Sequence, residues 1–218
     1  MKTNMIKIYY WNFPFWRAEI LRAGLYLQDI EFENVHEKDK IQELRDQKRV
    51  PFGALPVMEI DGKILSQTQA MATYVGKLGT MYPPNSDILA QANCDEIING
   101  CTDVTSTISA TMYGKTPSDQ VEEARKNLIK EDGRMTLHLN GLNSIVCQDG
   151  GKFACGKDYG LTVADLAVWR LMGWLTGNII DHIPSDIISS YPRLKSIYEN
   201  VEANEKIVAY KEEFWTKK

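Results

Sequence analysis

The stretch from Pro51 to Gly79, PFGALPVMEIDGKILSQTQAMATYVGKLG, constrains the fold more than any other part of the chain. A proline-bearing turn, a short strand, a two-residue turn, a second strand and a helix follow one another with no slack between them. Val57-Met58-Glu59-Ile60 and Lys63-Ile64-Leu65 flank Asp61-Gly62, and Asp-Gly suits the type I′ geometry, which needs φ > 0 at both central positions. The spacing predicts a tight hairpin that runs straight into a helix. That helix opens at Ser66-Gln67-Thr68, so its first unpaired N–H groups stand beside side chains able to hydrogen-bond an anion. Upstream, Leu55 precedes Pro56 and is pushed extended. With that bond cis, the Leu55 N–H and C=O face outward and can pair with a peptide as a strand would.

The rest of the first third fits around this hairpin. Met5 to Trp11 is rich in β-branched and aromatic residues and reads as a buried strand. From Phe15 to Leu27, Trp16, Ile20, Ala23, Gly24 and Leu27 recur at three- and four-residue spacing, predicting an amphipathic helix with Arg17, Glu19 and Arg22 nearer water. Glu31 to Val35 alternates as a second strand, giving a βαβ unit with parallel strands and a right-handed crossover. Lys38 to Lys48 reads as a short, exposed helix. The composition changes at Met81-Tyr82-Pro83-Pro84-Asn85-Ser86, which marks a connection.

Beyond Asp87 no strand pattern appears. Helices are expected over Asp87 to about Tyr113 and Gln120 to about Leu142, with a glycine-bounded loop over Lys152 to Tyr159. Thr162-Val163-Ala164-Asp165 has the form of a capping box that fixes the start of the next helix. The domains therefore read as 1–80, a linker 81–87, and an all-helical 88–218.

Taken together, these motifs resemble the cytosolic glutathione transferases. The ALPV segment before a hairpin and the Gln67-Thr68 pair opening the next helix are similar to that family's glutathione site. Tyr10-Trp11-Asn12 and Arg17-Ala18-Glu19 are similar to its Tyr-type classes, nearest the sigma class. The resemblance implies an α/β thioredoxin-like N-terminal domain followed by an all-α C-terminal domain. It implies glutathione as co-substrate, no metal, a hydrophobic electrophile as second substrate and a homodimer.

By the same resemblance, Tyr10 is the hydroxyl that stabilises the glutathione thiolate, with Tyr9 the alternative in register. The side chains of the two alternate across the strand, so one alone can serve. Leu55 and Pro56 pair with the cysteinyl unit, and Gln67 and Thr68 hold the γ-glutamyl carboxylate. Arg17 supports the site, or else is a solvated helix charge. Lys48 meets the glycine carboxylate, with Arg45 and Arg49 as competitors. Phe13, Phe15, Trp16 and Tyr113 are expected to line the electrophile pocket, with Phe214 or Trp215 as a lid. The segment between Tyr10 and Arg17 is one residue longer than the sigma pattern and lacks its Arg-Gly pair, which reshapes the loop beside that pocket.

The chemistry needed is a lowered thiol pKa. A free thiol titrates near about 8.5, so little thiolate exists at neutral pH. Lowering it by about two units takes ~2.7 kcal/mol of preferential thiolate stabilisation. One aimed hydroxyl with help from a helix N-terminus can supply that.

Composition narrows the alternatives. A net charge of −4 over 218 residues argues against a general nucleic-acid or anionic-membrane surface. The sequence shows no secretory leader and no membrane-spanning run, so a cytoplasmic protein is expected. The first helix begins without cysteine, which excludes a thioredoxin-type disulfide oxidoreductase. Two other readings stay open: glutathione-dependent isomerisation or reduction of lipids, and a non-catalytic protein that keeps the fold for binding or structure.

Overall fold

The computed structural model describes residues 5–112 and 114–215. The chain divides into two compact units, one formed by Met1–Tyr82 with Ala203–Lys218 and the other by Pro83–Glu202.

The first unit is built on a four-stranded sheet of order β2-β1-β3-β4. Its strands are β1 (Ile6–Tyr9), β2 (Glu33–Val35), β3 (Val57–Ile60) and β4 (Lys63–Ser66), and its helices α1 (Trp16–Leu27), α2 (Lys38–Asp46) and α3 (Thr68–Lys77). β1 runs parallel to β2, with Ile8 opposite Asn34, and antiparallel to β3, with Tyr9 opposite Val57. The β3–β4 hairpin turns at Asp61 (φ 48°) and Gly62 (φ 82°). Both central residues lie at positive φ, as a type I′ turn requires. Ile8, Ile20, Leu21, Leu25, Met58 and Met71 are fully buried. Each such side chain contributes on the order of 1.5–3 kcal/mol through the hydrophobic effect. The thioredoxin-like arrangement expected from the sequence is the one observed.

Two expectations for α1 need correction. Glu19 and Arg22, placed near water by the periodicity, are only 1% and 3% exposed. Their burial is made tolerable by each other, with Arg22 Nη1 2.8 Å from Glu19 Oε1. Paired, hydrogen-bonded charges are the ones proteins can bury. A later helix numbered α9 below, Glu205–Phe214, also belongs to this unit and packs on α1.

In the second unit the helices are α4 (Ile88–Ser109), α5 (Val121–Leu128), α6 (Arg134–Ile145), α7 (Val163–Thr176) and α8 (Pro192–Glu202), and α9 follows in the chain. α4 packs on α6 and α7, and α7 packs on α8. The single helix expected over Gln120 to Leu142 is instead two. The chain breaks between Leu128 and Arg134, and Gly133 is the N-cap of α6. A Cβ on Gly133 would stand 2.4 Å from the Leu128 carbonyl oxygen, so this close turn requires glycine.

The capping box at the start of α7 is formed as expected. The Asp165 carboxylate accepts from Thr162 N–H at 2.8 Å, from Thr162 Oγ1 at 2.7 Å and from Ala154 N–H at 2.7 Å. It thereby ties the loop over Lys152 to Tyr159 to the helix that follows. Among the described residues no helix is long and apolar enough to cross a membrane.

Candidate active site

The two tyrosines at the end of β1 part company. Tyr9 packs with Val35, Leu44 and Val57 and donates its hydroxyl to Glu59 Oε2 at 3.1 Å. Tyr10 stands one residue beyond the strand, its N–H bonded to the Val35 carbonyl at 3.1 Å. Its ring packs on Phe13 and stacks on Phe15 at centroid distances of 5.5 and 6.4 Å. Among the described residues the Tyr10 hydroxyl has no hydrogen-bond partner.

Burial pushes the Tyr10 pKa up to about 12, with the nearby Arg17 and Arg22 guanidinium groups pulling the other way. At neutral pH the hydroxyl therefore keeps its proton and is available as a donor. Arg17 reaches Thr68 Oγ1 from Nη1 at 3.5 Å and lies 4.9 Å from the Trp16 ring centroid. Burial lowers its pKa while Tyr10 opposes this. Arg17 is thus hydrogen-bonded to Thr68 and close enough to Tyr10 for the two to influence each other by charge.

The hairpin brings the remaining residues to it. The Leu55–Pro56 bond is cis, and the Leu55 side chain packs against the cluster containing Tyr9. Leu55 lies just outside β3, and its N–H and C=O have no backbone partner among the described residues. Gln67 caps α3 with φ 72° and ψ 121° and an exposed side chain that makes no cap bond. Its carbonyl accepts from Met71 N–H, which leaves the N–H groups of Thr68, Gln69 and Ala70 outside the helical ladder. A non-glycine residue at positive φ costs on the order of 1 kcal/mol or more, and such outliers gather at binding sites.

Among the three basic candidates at the end of α2, Arg49 is engaged with the hairpin, 2.8 Å from the Gly62 carbonyl and 3.4 Å from Glu59. Arg45 lies 6.0 Å from the Trp11 ring centroid. Lys48, at φ 56°, occupies the left-handed position that ends α2 and leaves its exposed side chain without a partner among the described residues.

The residues expected to form the electrophile pocket are only partly brought together. Phe13 and Pro14 line a cavity of about 190 Å³ with Asn12, Arg22, Phe214 and Trp215. That is smaller than the ~300–1,000 Å³ of typical ligand pockets, room for a fragment only. Phe15 lies against the Tyr10 ring. Trp16 is a correction: its side chain is fully buried in the core of the first unit and presents no surface to a substrate. Tyr113 lies outside the described residues.

The sequence reading missed a buried network beneath this site. Glu19 Oε2 accepts from Tyr210 Oη and Trp215 Nε1, both at 2.7 Å, while Oε1 holds Arg22. One signal was present: Glu19 lies between Trp16 and Ile20 on the apolar stripe, with the opposite charge of Arg22 three residues on.

The sequence matches the models of a known family. The family model for the glutathione S-transferase N-terminal domain matches residues 6–77, and the model for its C-terminal domain matches residues 102–213. The chain belongs to the glutathione S-transferase family. It is similar to glutathione S-transferase 2 of Manduca sexta, 28% identical over 160 residues, which are 73% of either chain. A glutathione S-transferase of Anopheles gambiae is 24% identical over 94% of either chain. Among solved structures, prostaglandin synthase D of Nilaparvata lugens has a TM-score of 0.77 at 26% identity, covering 95% of this chain and 97% of that one. A nematode transferase of C. elegans has a TM-score of 0.80 at 23% identity, covering 99% and 98%; at that identity the likeness concerns the fold. Family membership makes the chain an enzyme of glutathione transfer, with glutathione its substrate.

Proposed function

We propose that the chain is a Tyr-type transferase nearest the sigma class, in which Tyr10 donates its hydroxyl to the glutathione sulfur and holds it as thiolate for attack on a hydrophobic electrophile. One observation carries this reading: the Tyr9 hydroxyl is taken by Glu59, while the Tyr10 hydroxyl has no hydrogen-bond partner among the described residues and feels the charge of Arg17, which itself reaches Thr68.

In this reading the Leu55 backbone pairs with the cysteinyl unit and Pro56 holds Leu55 extended. Gln67, Thr68 and the open end of α3 receive the γ-glutamyl carboxylate. Arg17 reinforces that end by its charge, and Lys48 reaches the glycine carboxylate. Phe13 and Phe15 form the apolar wall beside the sulfur. The enzyme works in the cytoplasm as a homodimer.

Arg17→Ala is then expected to raise the KM for glutathione about tenfold, the weight of one charged contact of ~1.4 kcal/mol, with kcat changed less. Steady-state kinetics at varied glutathione checks this; an unmoved KM returns Arg17 to the role of a plain helix charge.

Phe52 is 66% exposed at the turn before Leu55, a large apolar side chain suited to a partner subunit. Phe52→Ala is expected to shift the protein toward monomer in sedimentation velocity at low micromolar concentration. An unchanged profile removes this residue from the interface.

A second reading, glutathione-dependent isomerisation of a lipid, is favoured by the likeness to the prostaglandin synthase D structure. It uses the same thiolate. Conjugation of an activated aryl chloride compared with turnover of a lipid endoperoxide separates the two.

A further inference from the structure

Resting on Tyr10 as the thiolate donor, we propose that Arg22 is a positioning residue for Tyr10 and that Glu19 ties its setting to the last turn of the C-terminal helix. β1 ends at Tyr9, so the residue that carries the chemistry sits just past the strand ladder. Two backbone bonds hold it there. On one side Tyr10 N–H meets the Val35 carbonyl. On the other, Arg22 Nη2 donates to the carbonyl of Trp11, the next residue, at 3.3 Å. The same guanidinium lies 5.8 Å from the Tyr10 ring centroid, where its charge favours a stronger hydroxyl donor.

Arg22 can stand in this buried place only because Glu19 faces it at 2.8 Å. The carboxylate is in turn fixed by two neutral donors on its other oxygen, Tyr210 Oη and Trp215 Nε1. Tyr210 is fully buried and stacks on Phe214. A continuous set of hydrogen bonds therefore runs from α9 through Glu19 and Arg22 to the peptide beside Tyr10. The charged groups facing Tyr10 are Arg17, Arg22 and Glu19, all from α1. Loosening the α9 end relaxes the clamp on Arg22 and, through it, the aim of the Tyr10 hydroxyl.

The test is the pH profile of kcat/KM for glutathione with an activated aryl chloride. In Arg22→Gln the rising limb is expected to move up by about one unit. Activity near neutral pH then falls about tenfold and recovers at alkaline pH, and the KM for glutathione stays within about twofold. Arg22→Lys keeps the charge without the forked geometry and recovers part of the loss. Trp215→Phe, which keeps an aromatic side chain and deletes one donor, shifts the limb in the same direction by less, about threefold near neutral pH.

Because Arg22 acts through Tyr10, adding Arg22→Gln to Tyr10→Phe lowers activity by no more than about twofold beyond Tyr10→Phe alone. Equal loss at every pH in Arg22→Gln, a raised KM, or full additivity with Tyr10→Phe overturns the proposal. Should Arg22→Gln fail to fold, an unshifted limb in Trp215→Phe overturns it. If Tyr10→Phe itself leaves the native profile in place, the reading of Tyr10 fails and this inference with it. A collapsed Tyr10→Phe beside an unshifted Arg22→Gln condemns the inference alone.

Discussion

Tyr10→Phe is expected to lower kcat/KM for glutathione conjugation about a hundredfold at neutral pH and to leave the KM for glutathione within about twofold. The magnitude follows from the work asked of one hydroxyl: a thiol pKa brought down by about two units corresponds to ~2.7 kcal/mol. Tyr10 is only 6% exposed, and phenylalanine fills the same space, so the melting temperature should stay within about 1–2 °C of native. The KM should hold because, in the proposed reading, the tripeptide is anchored elsewhere, at Leu55, Gln67, Thr68 and Arg17.

Tyr9→Phe is the matching control. It deletes the bond to Glu59 and should cost a little stability with activity intact. Steady-state kinetics on both variants checks the pair, and the reverse pattern would move the donor role to Tyr9.

The second large effect concerns stability. Asp165→Ala removes the acceptor for two buried backbone N–H groups, of Thr162 and Ala154, and for the Thr162 hydroxyl. Each buried donor left unmade costs on the order of 1–3 kcal/mol, so a loss of about 3–5 kcal/mol is expected. At about 2–4 °C per kcal/mol for a chain of this size, the melting temperature should fall by ~10 °C or more.

The effect carries a pH signature. Burial pushes the Asp165 carboxyl up to about 6 from 3.8, against the pull of its three donors. A folded-state value above the unfolded one means that the folded protein binds the proton more tightly. The stability from this group is full below about pH 4 and is lost as the pH rises through about 6, by up to ~3 kcal/mol. The gap between native and Asp165→Ala in urea midpoints should therefore widen from pH 7 to pH 4. A gap that narrows on acidification contradicts this assignment.

What could be read from the sequence was local. Asp61-Gly62 fixed its turn because two positive φ values leave few residue choices, and the Thr162–Asp165 box fixed the start of α7 because its bonds span three residues. Leu55-Pro56 and Gln67-Thr68 stood out because a proline and a helix start each impose backbone chemistry on their neighbours.

What failed was non-local. The burial of Glu19 and Arg22 depends on Tyr210 and Trp215, almost a chain length away, and a helical period within α1 carries no trace of that partner. Trp16 looked like a pocket residue because aromatics suit both pockets and cores, and only the packing of α1 decides between them. The break before α6 turned on Gly133 meeting the Leu128 carbonyl, a contact that an Asp-Gly pair inside a polar run only hints at. Lys48, Arg45 and Arg49 were indistinguishable in sequence. Arg49 is set apart from the other two by the hairpin, which supplies it with Glu59 and the Gly62 carbonyl.

In the proposed mechanism this fold holds glutathione as its thiolate at neutral pH through Tyr10. An ultraviolet difference titration of the purified protein with glutathione, run beside Tyr10→Phe, addresses it most directly. Thiolate absorbance that grows with binding in the native protein and is absent from the variant is the expected result. Glutathione that binds the native protein without thiolate absorbance would contradict the claim and leave the fold as a binding scaffold.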